Sequence, residues 1–307
     1  PEDAPLFVYT PADGLGKLMS VYFANLDTEM PRLIMITLDD NSKYVGSAYS
    51  LPLQLFDMGD GTMENPYVIT SVGGLKQIKA FPSAHFALGC DIDAAGYEIC
   101  NNSFDFYGTL DGNGHTISNL KVSGYSLIPS MSVPGSAVDA SSSAIICDMN
   151  FIDPVFTTSK DNQGLVVGSM QGGTLRNVHI YEGKLNSEGT VGGLVGAAYL
   201  GSVIENCSVN ADITSQEGVG GIVGTTRTGS TVRACAFTGS ITGDSGIGGI
   251  VSEFGHADDR IENCHVNADI TGKNTIGGIA ASSSHGLISF CHVQGNITAT
   301  EAPRWGG

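Results

Sequence analysis

The sequence predicts an all-β fold: a right-handed parallel β-helix with three short strands per coil and about 28–29 residues per repeat. Three observations predict it. First, apolar side chains recur in a column, Ile117, Ile146, Leu175, Ile204, Val232, Ile261 and Ile288, at steps of 29, 29, 29, 28, 29 and 27 residues. A period of this size marks a solenoid, because one repeat alone cannot bury its apolar side. Second, two more columns run alongside: Val122, Phe151, Ile180, Val209, Phe237, Val266 and Val293, then Leu185, Ile213, Ile241, Ile270 and Ile297. Third, the connecting pieces are Gly-, Asn-, Ser- and Thr-rich and contain no helical pattern, which sets the chain apart from a leucine-rich repeat. Right-handed coiling follows from the general crossover preference. Coils stacked ~4.8 Å apart place seven of them over roughly 30 Å.

The elements follow in order. Residues 1–56 form an N-terminal β segment or cap, with strands expected at Leu6–Thr10, Leu18–Ala24, Leu33–Leu38 and Tyr44–Ala48 between Pro, Asp and Asn turns. Residues 57–307 form the β-helix. A short capping helix precedes its coils. Ser71 is the expected N-cap, and Leu75, Ile78 and Phe81 share a face that plugs the end of the solenoid. Within a coil such as 191–214, Ile204 points in, Glu205 out, Cys207 in, Ser208 out and Val209 in. The extra residue, Asn206, suits a sharp bend with left-handed backbone angles. Its column reads Asn119, Asp148, Asn177, Asn206, Ala234, Asn263, Phe290, and stacked amides there are expected to hydrogen-bond along the axis. Four cysteines, Cys207, Cys235, Cys264 and Cys291, continue the apolar column of Leu120, Met149 and Val178. They read as buried small hydrophobes and not as a disulfide ladder. Whether Cys90 and Cys100 are bridged is left open by their spacing.

Composition narrows the partners. Fourteen Lys plus Arg stand against 31 Asp plus Glu, a net charge of −17, which repels phosphate backbones and makes nucleic acid a poor partner. It also disfavours a groove for polyanionic polysaccharides unless Ca²⁺ bridges the charges. No apolar run approaches the length of a membrane span. The chain starts at Pro1, so an initiator Met, signal peptide or lipid-anchor Cys would lie outside it. Gly306-Gly307 falls 29 residues after Gly277-Gly278 and stops mid-phrase, so the natural protein is expected to continue or to end on an uncapped coil.

The repeats resemble the GLUG-motif family. Its Gly-Leu-x-Gly signature stands at Gly193-Leu194-Val195-Gly196 and Gly221-Ile222-Val223-Gly224, with degenerate copies from Gly164, Gly249 and Gly278. The turn at Gly59–Tyr67 and the run Gly108–Ile117 look like the segments that precede such repeats. The resemblance covers about residues 57–307. It implies a right-handed β-helix on secreted or surface-attached bacterial proteins, including adhesin-like proteins of gut bacteria and accessory regions of immunoglobulin A peptidases. It implies no catalytic residue set. The segment Ser126–Ser143 replaces a family-type Gly-rich piece and reads as an extruded loop.

Several motifs that suggest chemistry fall in register with the repeat. Gly243-Asp244-Ser245-Gly246 has the form of a protease nucleophile turn, yet it falls in register with Ser215–Gly218 and reads as a turn. His179, His265 and His292 share an outward column, which reads as a solvated ladder because no third ligand column accompanies it. Asp258 and Asp259, near His256, are paired carboxylates of the kind that hydrolyse glycosides, but they appear once with no partner on a neighbouring coil and read as a solvated turn. Tyr97, Phe104, Phe106 and Tyr107 cluster before the first regular coil, as a glycan platform or as packing. Asp57, Asp60 and Glu64 surround a turn of Asx type; Ca²⁺ is possible there but no cofactor or metal is predicted. The functional expectation is a non-catalytic, adhesin-like or spacer module on the outer surface of a bacterium or secreted, presenting turn loops to a host surface protein or glycan. The alternatives are a carbohydrate-active β-helix (polysaccharide binding, lyase or glycoside hydrolase) and an accessory region of a larger secreted peptidase.

Overall fold

A computed structural model describes residues 56, 58–132 and 144–301, together with the backbone of four strands before residue 56. The chain divides into two compact units, Pro1–Leu55 and Phe56–Gly307. In the first, strands Phe7–Tyr9, Met19–Ala24, Arg32–Thr37 and Tyr49–Pro52 form an antiparallel meander in sequence order. The fourth strand falls after the expected Tyr44–Ala48, which lies outside the described residues.

The second unit is a parallel β-solenoid. Its first column runs Phe86, Leu110, Ile146, Leu175, Ile204, Val232, Ile261, Ile288 in register from coil to coil. The second runs Ile92, Ile117, Phe151, Ile180, Val209, Phe237, Val266, Val293. The third runs Ile99, Val122, Phe156, Leu185, Ile213, Ile241, Ile270, Ile297. From Ile146 to Ile270 these side chains are essentially sealed from solvent. Four expected positions are therefore corrected. Ile117 belongs to the second column and not to that of Ile146, and Val122 belongs to the third. Asn119 and Leu120 precede Lys121, which pairs with Val155, so they align with Asp153 and Pro154 and not with Asp148 and Met149. The physical cause is that both corners of the early coils use the same chemistry. Asn113 and Asn119 both carry left-handed angles (φ 49° and 57°). Ile117-Ser118-Asn119-Leu120 thus imitates the corner Ile204-Glu205-Asn206-Cys207 although it turns a different one.

The bend residues behave as the sequence predicts. Asp148, Asn177, Asn206, Ala234, Asn263 and Phe290 all have φ between 52° and 55°. The amide ladder does not extend along them: Asn177 donates to Asp148 Oδ1 at 2.7 Å, while Asn206 and Asn263 face solvent. The Cys column lies inside, with Cys207, Cys235 and Cys264 buried, and each thiol donates to the carbonyl two residues before it. Cys90 and Cys100 are free thiols and not a bridge.

The Gly-rich piece that opens each coil, expected as one strand, is divided in two by a bend. Val191–Gly192 joins a five-stranded sheet and Val195–Tyr199 a seven-stranded one. The glycines are required by crowding. A Cβ on Gly192 would lie 2.0 Å from the Val195 carbonyl oxygen, one on Gly193 2.1 Å from that of Gly221, and one on Gly196 2.1 Å from the backbone of Asn162. Between them Leu194 turns fully inward. The segment from Ser126 is likewise corrected in part. Ile128–Ser132 is a strand paired with Val167–Gln171, and Ser126 donates from both its N–H and its hydroxyl to Gln163 Oε1. Residues 133–143 lie outside the described residues.

Helix Val72–Gln77 is capped by Ser71, whose hydroxyl accepts from Gly74 N–H at 3.4 Å. Leu75 and Ile78 join the apolar core, against which Phe81 packs. Phe56 stacks on Tyr67 at 4.6 Å and meets Phe86 edge-on. This aromatic plug closes the apolar core at the start of the coil stack.

Candidate functional site

One groove on the solenoid arises from a change in coil geometry. In the early coils a second corner is turned by Asn119, Asp153 and Glu182, all left-handed. After Glu182 the corner disappears. Pairing slips by one residue between Ile180 and Gly183, and strand Ser208–Ser215 runs straight through. At that step lies a groove of about 270 Å³ lined by Asp153, Glu182, Gly183, Lys184, Asn210, Ala211 and Asp212. Three consecutive coils thus contribute one carboxylate each, with one ammonium and one amide among them. All three carboxylates are exposed, and Asp212 accepts from the Ser240 hydroxyl at 2.6 Å. Tyr181, adjacent to Glu182, is 44% exposed, with its ring 6.4 Å from that of His179. Exposed carboxylates beside an aromatic face suit hydrogen bonding to a hydroxyl-rich ligand. A general acid would need a desolvated carboxyl. The groove's signal in the sequence is the shortening of the repeat after Glu182, which the column spacing contains but does not interpret.

The predicted site residues do not assemble into one place. Asp259 is fully buried. Its Oδ1 accepts from the N–H groups of Gly229 and Ser230 at 2.8 and 2.9 Å, and its Oδ2 from that of His256 at 3.1 Å. This carboxylate ties one coil to the turn of the coil before it and is not available to a substrate. Asp258 is exposed, 3.8 Å from His256 Nδ1, so the expected carboxylate pair is split between interior and solvent. The aromatic platform is split too. Phe106 is buried in the core, 6.3 Å from Phe86, and Phe104 packs against that core. Tyr97 is 56% exposed beside the Lys76 ammonium. Tyr107 is half-buried, and burial, aided by Asp105, raises its phenol above the usual value.

The other motifs resolve into repeat contacts. Asp244 pairs with Lys273 at 2.5 Å, and the Ser245 hydroxyl meets Asn274 Oδ1 at 2.8 Å, so the serine turn is a stacking turn. Asp60 accepts from both the N–H and the hydroxyl of Thr62, as an Asx turn does; Asp57 lies outside the described residues. Asp111, Cys147 and Asp148 gather their ligand atoms within 4.8 Å. Burial and the Asp148 carboxylate push the Cys147 thiol up to about 12.

Sequence reasoning also missed a charged ladder one residue beyond the first column. Asp111, Cys147, Arg176, Glu205, Arg233, Glu262 and Ser289 stand in register. Arg233 grips Glu205 through Nε at 2.7 Å and through its terminal nitrogen. From Arg176 onward the charges alternate in sign, which parallel in-register stacking requires if like charges are not to meet.

These features define a GLUG-bearing parallel β-solenoid. The chain carries the GLUG motif, whose family profile matches residues 187–214. It is 34% identical over 170 residues to halomucin of Haloquadratum walsbyi, a match that covers 49% of this chain and 2% of halomucin. Among solved structures it superposes on a proposed immunoglobulin A1 protease from Bacteroides ovatus with a TM-score of 0.62 at 24% identity, covering 77% of each chain. A chain described as IgA1 protease matches with a TM-score of 0.61 at 16% identity, over 95% of this chain and 25% of that one. At these identities the two structures speak to the fold. Among the described residues no helix is long and apolar enough to cross a membrane.

Proposed function

We propose that this chain is a non-catalytic, secreted or surface-exposed β-helix module, adhesin-like or spacing in role, that holds a glycan or a host surface protein. The observation that carries this reading is the step groove at Glu182. There the coil stack presents Asp153, Glu182, Asp212 and Asn210 from successive coils, with the exposed Tyr181 next to Glu182 in the chain. Carboxylates and an amide accept sugar hydroxyls, and an aromatic face stacks on a sugar ring. The likeness to halomucin supports a place outside the cell. The module is tested on a glycan and mucin-component panel scored for both binding and turnover, with and without Ca²⁺. Binding that falls at least about tenfold in Tyr181→Ala and Asp212→Asn, about 1.4 kcal/mol, supports it. Robust turnover of any glycan or peptide by the purified chain sinks the non-catalytic reading and favours the carbohydrate-active one.

The fold shared with two protease-associated structures favours a second reading, an accessory region of a larger secreted peptidase. The gene sequence on either side of the chain decides between them: a catalytic peptidase domain in the same reading frame supports the second.

A further inference from the structure

From Thr116 and Asn150 an outward column runs on through His179, Ser208, Ala236, His265 and His292. Its first histidine is committed: His179 Nδ1 meets the Ser208 hydroxyl at 2.8 Å. The last two stand side by side on adjacent coils. Their ring centroids are 5.0 Å apart at an interplanar angle of 53°, and both residues are exposed. Metal–nitrogen bonds of about 2.0–2.1 Å place imidazole centroids roughly 4.5 Å apart at a 90° ligand angle and roughly 5.2 Å apart at the tetrahedral angle. The observed spacing falls between these. The parallel register holds the two Cα positions side by side through pairs His265–His292 and Val266–Val293.

We propose that His265 and His292 form a two-histidine clamp for a borderline divalent transition metal, of the Ni²⁺, Cu²⁺ or Zn²⁺ class, open to solvent on its remaining positions. Imidazole selects these ions over Mg²⁺ and Ca²⁺. Asn267 and Gln294 pair one step further along the same exposed face, flanking the clamp with amides. The neighbouring thiol of Cys264 is no competitor, since it faces the sealed interior. The Ala236 methyl on the preceding coil adds neither charge nor ligand. An ion held here leaves open positions for a partner's imidazole or carboxylate, and it lies apart from the groove at Glu182, so the two sites stand or fall separately.

Titration calorimetry of the full chain with NiCl₂ at neutral pH tests the clamp, using wild type, His265→Ala, His292→Ala and, as control, His179→Ala. Because the second imidazole binds as an intramolecular ligand, losing either partner is expected to weaken the site about 100-fold, with His179→Ala unchanged. Copper(II) paramagnetic resonance of the wild type is expected to show two nitrogen donors, falling to one in each single variant. Both side chains are exposed, so thermal melts of the variants should superpose on the wild type. Affinity within about threefold of wild type in either single variant overturns the proposal, as does a copper spectrum that neither substitution alters.

Discussion

Among the described residues Asp259 is the one charged side chain that is buried, and its chemistry explains why. Three backbone N–H groups from two coils converge on one carboxylate, so its negative charge is spread over donors that would otherwise be orphaned. Removing it strands those donors in a dry turn. Asp259→Ala should cost about 3 kcal/mol in urea unfolding, while Asp258→Ala, in solvent, should stay within about 0.5 kcal/mol. A smaller cost for Asp259→Ala would mean that water replaces the carboxylate. A second residue-scale consequence concerns acid. The Asn177 amide holds the Asp148 carboxyl below its ordinary value of 3.8. A folded pKa below the unfolded one contributes stability that is full above 3.8 and is lost as pH falls through the lower folded value. Asn177→Ala should therefore be less stable at neutral pH and should show a shallower loss between pH 4 and pH 3, read from urea midpoints along that range. The sequence made the bend column and its left-handed angles readable, because a residue out of alternation needs a turn. It did not reveal the roles of Asp258 and Asp259, because two adjacent carboxylates in a turn look alike until burial separates them.

At the scale of the coil, the Gly-Gly-Leu-x-Gly piece is a packing device. Its glycines sit where backbone atoms of the same coil or of a neighbouring one leave no room for a Cβ, and its leucine turns inward between them. Glycines elsewhere follow different physics. Gly73 lies within helix Val72–Gln77, and a Cβ there would meet nothing nearer than Ser71 Oγ at 3.5 Å. Two substitutions of the same kind should thus have opposite signs. Gly193→Ala should destabilise by about 2–3 kcal/mol through overpacking. Gly73→Ala should stabilise by about 0.5–1 kcal/mol by lowering the entropy of the unfolded chain. Paired thermal melts check both, and equal shifts would contradict the distinction. The signature was visible in the sequence as a repeated phrase. Its division between two sheets was not, since periodicity reports that a residue recurs and not where the backbone turns. The groove at Glu182 was hidden for the same reason: a one-residue shortening changes a corner's geometry while leaving every column apolar.

For the solenoid unit as a whole, stability is distributed along the stack. Each interior coil is covered on both sides, and its apolar columns are sealed. In the last described coil Ile288, Val293 and Ile297 are 40%, 36% and 48% exposed, and Phe290 87%. The opposite end is filled by Phe56, Tyr67, Phe81 and Phe86. Repeat arrays open from their less covered coils. Amide hydrogen exchange should accordingly be fastest across Leu287–Ala299, slowest across Thr174–Ser215, and intermediate near Ile69–Leu88. Uniform protection along the stack would show a single cooperative unit instead. The solenoid class was readable from spacing alone because one coil cannot bury its own apolar face. The register of the first coils was not, because two corners with one chemistry gave the period a false continuation through Ile117.

The column of Arg176, Glu205, Arg233 and Glu262 carries a further consequence, for how such a rod can lengthen or shorten. The apolar interior repeats every coil, so it tolerates the loss or gain of a single coil. The charged column repeats every second coil. Deleting the coil that bears Glu205 would seat Arg176 directly against Arg233, and duplicating it would seat glutamate on glutamate. Removal of two neighbouring coils leaves every contact between opposite charges intact. The inside of the molecule counts in ones and this outer column counts in twos, so this stretch of the rod has parity.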